Sequence, residues 1–294
     1  MKKIISLILA LALLAVPACL MSCGDKKDDV KDKDDNAPVE ATKVIDINLT
    51  EEDYAFGVDK AQPELLEQVN AFVKKIKENG TLDEICEKYF SGGEPTPVTS
   101  AALDESKDQL VVATNAAFAP FEYTEGDKFL GIDMEIAKLL ADELGKELVI
   151  QHMDFEAVCL SVGQHKCDIA MAGLTVNEER EEHVTFSEPY YAASQKLIVK
   201  GDDTTFDKCK TVEDVEKILN GFDKKTKVGV QDGTTGQLYC AGDEDWGFAG
   251  FAFETVGYKN GSLAVQDMIN GNIDYVVIDA APADFISASI NKMN

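Results

Sequence analysis

Residues 168–180 read Asp-Ile-Ala-Met-Ala-Gly-Leu-Thr-Val-Asn-Glu-Glu-Arg. The apolar run Ile169–Met171 predicts a short buried strand. Ala172-Gly173 then leaves the backbone open to close approach, because Gly173 has no side chain. Thr175 adds a hydroxyl and an amide, and Asn177 can cap a helix whose first turn holds Arg180. The helix dipole disfavours a cation in that turn, so Arg180 is better tolerated if it faces an anion. A guanidinium fork beside hydroxyl and amide donors is suited to holding a carboxylate. Taken alone, Arg180 also reads as a solvated charge on a helix surface, so the surrounding elements have to decide.

Those elements alternate. Strands are predicted at Leu110–Thr114, Leu148–Gln151, Lys227–Val230, Phe253–Val256 and Tyr275–Ile278, with a longer extended run at Gln195–Val199. Helices are predicted at Ile132–Leu144, Phe155–Val162, Val212–Leu219, Leu263–Ile269 and Pro282–Ile290, with one more starting at Gly233. Such alternation predicts parallel sheets flanked by helices, and in open sheets of that kind ligands bind beyond the carboxyl ends of the strands. Asn115 and Phe118 follow the first strand; Ala172, Gly173 and Thr175 follow Ile169–Met171. Gln231 and Thr235 follow Lys227–Val230, and Asp279 follows Tyr275–Ile278. One cation, one anion and several hydroxyl and amide groups complement a zwitterion, with Arg180 for its carboxylate and Asp279 for its ammonium.

The whole chain has 294 residues, enough for about two domains, and an apolar fraction of 45%, that of a globular protein. Its net charge of −26 repels nucleic acid, which is discounted as a partner. Met1-Lys2-Lys3 is a basic start and Ile4–Val16 an apolar stretch too short to span a bilayer, so 1–22 reads as a signal peptide. Leu20-Met21-Ser22-Cys23-Gly24 resembles a bacterial lipobox, which implies cleavage before Cys23 and lipidation of its thiol. Residues 23–42 are dominated by Asp and Lys and read as a solvated, lipid-anchored acidic tether. The other cysteines, Cys86, Cys159, Cys167, Cys209 and Cys240, have no framework spacing and read as mostly buried thiols. The three histidines lack metal-ligand spacing; no metal or other cofactor is expected.

Upstream of the alternating pattern lie a strand at Lys43–Leu49 and an amphipathic helix at Gln62–Asn79, begun by Pro63. Thr81-Leu82-Asp83-Glu84 has the form of a capping box that starts a second helix through Tyr89.

Ala113–Tyr123, Gly131-Ile132-Asp133, Met153-Asp154-Phe155, Ala172–Arg180, Phe186–Tyr191, Gln231–Gly236 and Asp274–Asp279 fall in an order that resembles the polar-amino-acid family of bacterial solute-binding proteins of ABC importers. The resemblance covers 109 to about 290. It implies an α/β fold, a two-lobed periplasmic-binding-protein fold (type II), each lobe an open, mostly parallel sheet with flanking helices, closing like a Venus flytrap on one amino acid. By position, Arg180 and Thr175 match the carboxylate binders, with Thr235 a further donor. Asp279 matches the ammonium partner, helped by a carbonyl of Ala172 or Gly173. Phe118 and Phe155 match the aromatic walls. Where relatives that bind basic amino acids carry an acid, this chain has Asn115, opposite the neutral Gln231. These two amides point to a polar, uncharged ligand side chain, while Glu122 or Asp232 could still serve a basic one.

The order of segments departs from the family. The usual final strand and helices are missing after Asp279 and appear instead at 43–90, where Asn79–Phe90 resembles the family's last helices. A natural circular permutation follows from this: lobe 1 from 53–91 and 108–197, lobe 2 from 43–49 and 200–294, and a linker at 92–107 joining the usual termini. Fully extended, such a linker reaches roughly 55 Å. The expected function is an extracytoplasmic, lipid-anchored monomer, not an enzyme, that delivers a polar amino acid to ABC permease subunits. A lipid-anchored sensor subunit and a dehydratase of cyclohexadienyl type, which would need a general acid over its ring site, are the other readings.

Overall fold

A computed structural model of the chain describes residues 40–293. The expected signal peptide, the lipidated Cys23 and nearly all of the tether lie outside the described residues. Fifteen strands and nine helices are assigned among those described. β1 (Thr42–Ile45), β2 (Glu52–Tyr54) and β3 (Gly57–Asp59) precede α1 (Pro63–Glu78) and α2 (Thr81–Phe90). Next come β4 (Gln109–Thr114), β5 (Ala117–Phe118), β6 (Glu122–Glu125), β7 (Lys128–Leu130), α3 (Ile132–Leu144), β8 (Glu147–His152), α4 (Ala157–Gly163) and β9 (Ile169–Ala170). α5 (Glu178–Glu181), β10 (Val184–Phe186), β11 (Tyr191–Ala193), β12 (Gln195–Lys200), α6 (Val212–Leu219) and β13 (Lys227–Gln231) follow. The last elements are α7 (Thr235–Ala241), β14 (Glu254–Tyr258), α8 (Gly261–Ile269), β15 (Tyr275–Asp279) and α9 (Ala280–Met293).

The strands form two five-stranded sheets, one per lobe. The first has the order β10-β3-β9-β4-β8 and the second β1-β12-β15-β13-β14. Neither is mostly parallel, which corrects the expectation from strand–helix alternation. In the first, β4 runs parallel to β8 and β9 while β3 is antiparallel to β9 and β10. In the second, β13 runs parallel to β14 and β15 while β12 is antiparallel to β15 and β1. The antiparallel half of each sheet is built by segments that cross between lobes rather than by β-α-β units, so the alternation of helix and strand did not announce it. The crossing from the first sheet to the second falls between β11 and β12, so the expected lobe limit at 197 lies inside β12. A second crossing runs from β1 to β3. The two crossings pair through the antiparallel β2–β11 ribbon, with Tyr54 opposite Tyr191 and Glu52 opposite Ala193.

α1 forms because Pro63 opens it and Leu65, Val69, Phe72, Val73 and Ile76 recur on one buried face. The capping box expected at Thr81 does not form. Gly80, at φ 83°, is the cap residue, and Thr81 lies inside α2, its N–H donating to Asn79 Oδ1 at 3.0 Å. Residues 92–107 are bound along the first lobe. Val98 is buried and exchanges backbone hydrogen bonds with Phe129, Ala101 N–H donates to the Leu148 carbonyl, and Ile150 N–H donates to Ser100 Oγ. The strap therefore covers β8, the edge strand of the first sheet. At the far side of the molecule β1 and α9 are seamed together: Thr42 N–H donates to Asn291 Oδ1 at 3.1 Å, Asn291 Nδ2 returns a bond to the Thr42 carbonyl at 2.8 Å, and Thr42 and Ser287 hydroxyls meet at 2.8 Å. The five described cysteines outside the leader are free; Cys159, Cys167 and Cys240 are buried, and Cys86 and Cys209 partly so.

α3 starts at Gly131, whose φ of 123° and close approach to Phe121 leave no room for a side chain: a Cβ there would stand 2.1 Å from the Phe121 carbonyl oxygen. Gly80 shares a positive φ but faces open space. Gly80→Ala should therefore cost about 1 kcal/mol, whereas Gly131→Ala should cost more than about 4 kcal/mol or prevent folding. Urea unfolding of the two variants measures the difference.

Candidate functional site

In the first lobe Arg180 is placed as its neighbours dictate. Asn177 caps the one-turn α5, its Oδ1 accepting the Arg180 N–H at 2.8 Å. The guanidinium turns inward, is nearly buried, and lies 5.1 Å above the centre of the Phe155 ring. Its Nη1 donates to the Thr175 carbonyl at 2.6 Å and its Nη2 to the Gly233 carbonyl of the second lobe at 3.0 Å. A guanidinium has five donors, so these bonds leave others for a ligand. Gly173, at φ 53°, lies beneath two rings: a Cβ there would be 2.9 Å from Phe118 and 3.3 Å from Tyr54. Its N–H donates to Asp133 Oδ2 at 2.9 Å.

In the second lobe Asp279 ends β15. Its Oδ2 accepts from Tyr54 Oη at 2.7 Å and from Gln195 Nε2 at 2.8 Å. Gln195 Nε2 also donates to Glu52 Oε1 at 2.9 Å, and Glu52 Oε2 accepts the Thr175 hydroxyl at 2.7 Å. A continuous chain of buried hydrogen bonds thus runs from Asp279 through Gln195 and Glu52 to Thr175, whose carbonyl holds Arg180. The two predicted charges belong to one network that bridges the lobes. Glu52, Tyr54 and Gln195 were missed in the sequence. Glu52 and Tyr54 sit on the crossing strand β2 and Gln195 opens β12 just beyond the other crossing, and no motif in the sequence marked them.

The remaining predicted residues meet at the same junction. Asn115 Nδ2 donates to the Met153 carbonyl at 2.7 Å, and its Oδ1 faces Gln231 Nε2 of the other lobe at 3.5 Å. Gly233 packs on Phe155 and Glu156. Ala172 is buried beside Gly173, and Thr235 opens α7. Asp232 turns away onto Gln237 and Gly257. Five residues here bury side-chain oxygens that have no hydrogen-bond partner among the described residues: Thr114, Glu122, Gln195, Gln231 and Thr235. An unpaired buried polar atom costs about 1–3 kcal/mol, so a cluster of them marks a place where a polar ligand belongs.

The electrostatics are lopsided. Glu52, Glu122, Asp133 and Asp279 are buried, against one cation, Arg180. Burial, reinforced by Glu52, pushes Asp279 up to about 7, although Tyr54 and Gln195 pull the other way. Burial likewise raises Asp133 to about 7 against its bonds from Tyr190 and Gly173. Glu122, fully enclosed and repelled by Asp133 and Asp279, is driven well above the carboxylate range.

Comparison with known proteins decides the family. The model for bacterial extracellular solute-binding proteins, family 3, matches residues 15–92 and 110–277. The chain belongs to this family. The arginine-binding extracellular protein ArtP of Bacillus subtilis (strain 168) is 36% identical to this family 3 protein over 104 residues, 35% of this chain and 41% of that relative's length. The chain is thus matched over less than half of ArtP. The holo form of ArgBP from T. maritima superposes with a TM-score of 0.52 at 34% identity, over 64% of this chain and 77% of that one. An ancestral amino acid-binding protein, a precursor of cyclohexadienyl dehydratase, superposes with a TM-score of 0.52 at 27% identity, over 71% and 79%.

Asp279 and Asp133 take up protons in the folded chain at a pH where they are ionised once unfolded, since an unfolded Asp titrates near about 3.9. Their contribution is fully present below that value and is lost as pH rises through about 7. The melting temperature of the ligand-free protein should fall between pH 4 and pH 7. Asp279→Asn should flatten that slope, as read by calorimetry across the range.

Proposed function

We propose that this chain captures a free polar amino acid outside the cytoplasm and hands it to an ABC importer, and that the ligand carries a cationic side chain. The observation that carries the reading is the enclosed Glu122, which has no hydrogen-bond partner among the described residues and stands near the buried carboxylates Asp133 and Asp279. A zwitterion adds no net charge to that set, whereas a basic amino acid adds one positive charge where the imbalance is greatest. ArtP and ArgBP, similar in sequence and structure, are an arginine-binding protein and a holo arginine-binding-protein structure by name. The amides Asn115 and Gln231, which pointed to an uncharged side chain, face each other across the cleft and so serve its closure.

In this reading the α-carboxylate takes the spare donors of Arg180 and the hydroxyl and amide of Thr235. The α-ammonium sits on Asp279, Phe118 and Phe155 flank the stem, and Glu122 ionises against the terminal cation. Closure adds the contacts of the opposite lobe, so ligand shifts an open–closed equilibrium. No bond is made or broken. Residues before 40 would tether the protein by a lipid on Cys23, and segments 43–91 and 108–294 would be a family 3 fold in permuted order. β1 and β12 sharing the second sheet, and β3 and β9 the first, support that order.

One observation favours a second reading, a dehydratase. Burial raises the proton affinity of the Glu122 carboxyl, the direction a general acid needs, and a structural neighbour is a precursor of such an enzyme. Incubation with prephenate or arogenate decides it: formation of an aromatic product selects the enzyme, and none selects capture.

Titration calorimetry with arginine, lysine, histidine and glutamine tests the main reading. Arg180→Ala should lose at least about 100-fold in affinity for every ligand bound. Glu122→Gln should lose about 10–100-fold for cationic ligands and much less for glutamine. Equal losses for both would place the side-chain cation elsewhere. A rearranged chain, 108–294 joined to 43–91, should bind with an affinity within a few-fold of the natural order; failure to bind while folded would count against the permutation.

A further inference from the structure

A hollow of about 630 Å³ lies beside the hinge, with Tyr54 and Asp279 in its wall. Arg180, Thr175, Phe118 and Phe155 take no part in its wall. Its floor is the crossing ribbon, with Tyr191 and Lys196; one wall is Phe90 and Phe121 of the first lobe, and the other is the face of α9 that carries Phe285 and Lys292. In that wall the Tyr54 hydroxyl donates to Asp279, the residue matched above to the amino-acid ammonium.

The lining has a consistent chemistry. Phe90, Tyr191 and Phe121 stand ring to ring at 5.9 and 5.0 Å, and Phe90 is 46% exposed within this setting, an aromatic surface lacking a cover. The charged groups facing the space are Lys196, Lys292, Asp284 and Asp279. Lys196 is nearly buried and is held by Asp46 at 2.8 Å and Asp284 at 3.5 Å. Lys292 has no ion pair among the described residues, and Asp279 is already engaged by Tyr54 and Gln195. Lys292 is then the cation that faces this space without an ion pair among the described residues, beside an aromatic floor. The volume lies in the ordinary range for small-molecule sites, about 300–1,000 Å³.

We propose that this hinge hollow is a second binding site, for a small planar aromatic anion, and that its occupancy is coupled to the amino-acid cleft. The body stacks among Phe90, Tyr191 and Phe285, and the anionic group meets Lys292 and Lys196. Coupling follows from construction: the walls come from both lobes and from the ribbon joining them, so the site is complete only at one inter-lobe angle, and Tyr54 and Asp279 belong to both cavities. A ligand in either place then alters affinity in the other by the same factor. The site stands independently of the identity of the amino acid; only the coupling rests on the capture reading.

The probe is indole-3-acetate, titrated into the full chain by calorimetry, with tryptamine as the cation of the same ring. Saturable one-to-one binding of indole-3-acetate, with tryptamine at least about tenfold weaker, is the expected result. Ala288→Trp, an exposed position on the cavity face of α9, should abolish it, and Lys292→Glu should weaken it about tenfold. No saturable heat up to 10 mM of about millimolar-range titrant, equal binding of tryptamine, or binding untouched by both α9 variants would overturn the site. If Ala288→Trp does not fold, Lys292→Glu alone decides. Saturating indole-3-acetate should change amino-acid affinity by about threefold or more; an unchanged affinity would overturn the coupling.

Discussion

Four buried carboxylates around one guanidinium set the terms for the rest of this molecule. Removing a charge from water costs several kcal/mol unless a partner or a proton compensates. Here Glu52 is compensated by Thr50, Thr175 and Gln195, and Asp133 by Tyr190 and Gly173. Asp279 is compensated in part, and Glu122 by no hydrogen bond among the described residues. Burial raises the proton affinity of Asp133, Asp279 and Glu122 alike, and Glu122 has the fewest hydrogen bonds to oppose it.

The hinge carries this network. β2 and β11 pair as they cross, so Glu52 and Tyr54 on one strand and Gln195 just beyond the other stand where both lobes can reach them. Each lobe then contributes what its sheet naturally presents: a helix cap and a glycine turn from the first, a strand-end aspartate from the second. The lobes meet through Arg180 on the Gly233 carbonyl and through Asn115 opposite Gln231. These two meeting points are polar and directional, while Tyr123 against Phe285 adds an apolar contact between the lobes.

Much of this was legible in the chain. Helices with a single apolar stripe, such as α1 and α6, and the one capped by Asn177, follow from spacing alone. Arg180 drew attention as a cation in the first turn of a helix, and Asp279 as an acid at the end of a buried strand. The antiparallel half of the first sheet was not legible, since β3 and β10 are three residues long and carry no periodicity to read, and nothing in the extended runs at β1 and β12 told their direction. The capping box at Thr81 failed because Gly80, one residue earlier, already supplies the turn at φ 83°. Glu122 was noticed only as a spare acid; its enclosure depends on Asp133 and Asp279, which come from elsewhere in the chain.

The seam between β1 and α9 has a mechanical consequence. The described chain enters at residue 40 and passes straight into β1, which Thr42 fastens to Asn291 and Ser287. Any pull on the described start of the chain is therefore delivered first to the second lobe, and reaches the first lobe, with its strap, only through the crossing segments and the contacts between the lobes. Of the two jaws, the one bearing Asp279 would be the stationary one, and the one bearing Arg180 would do the swinging.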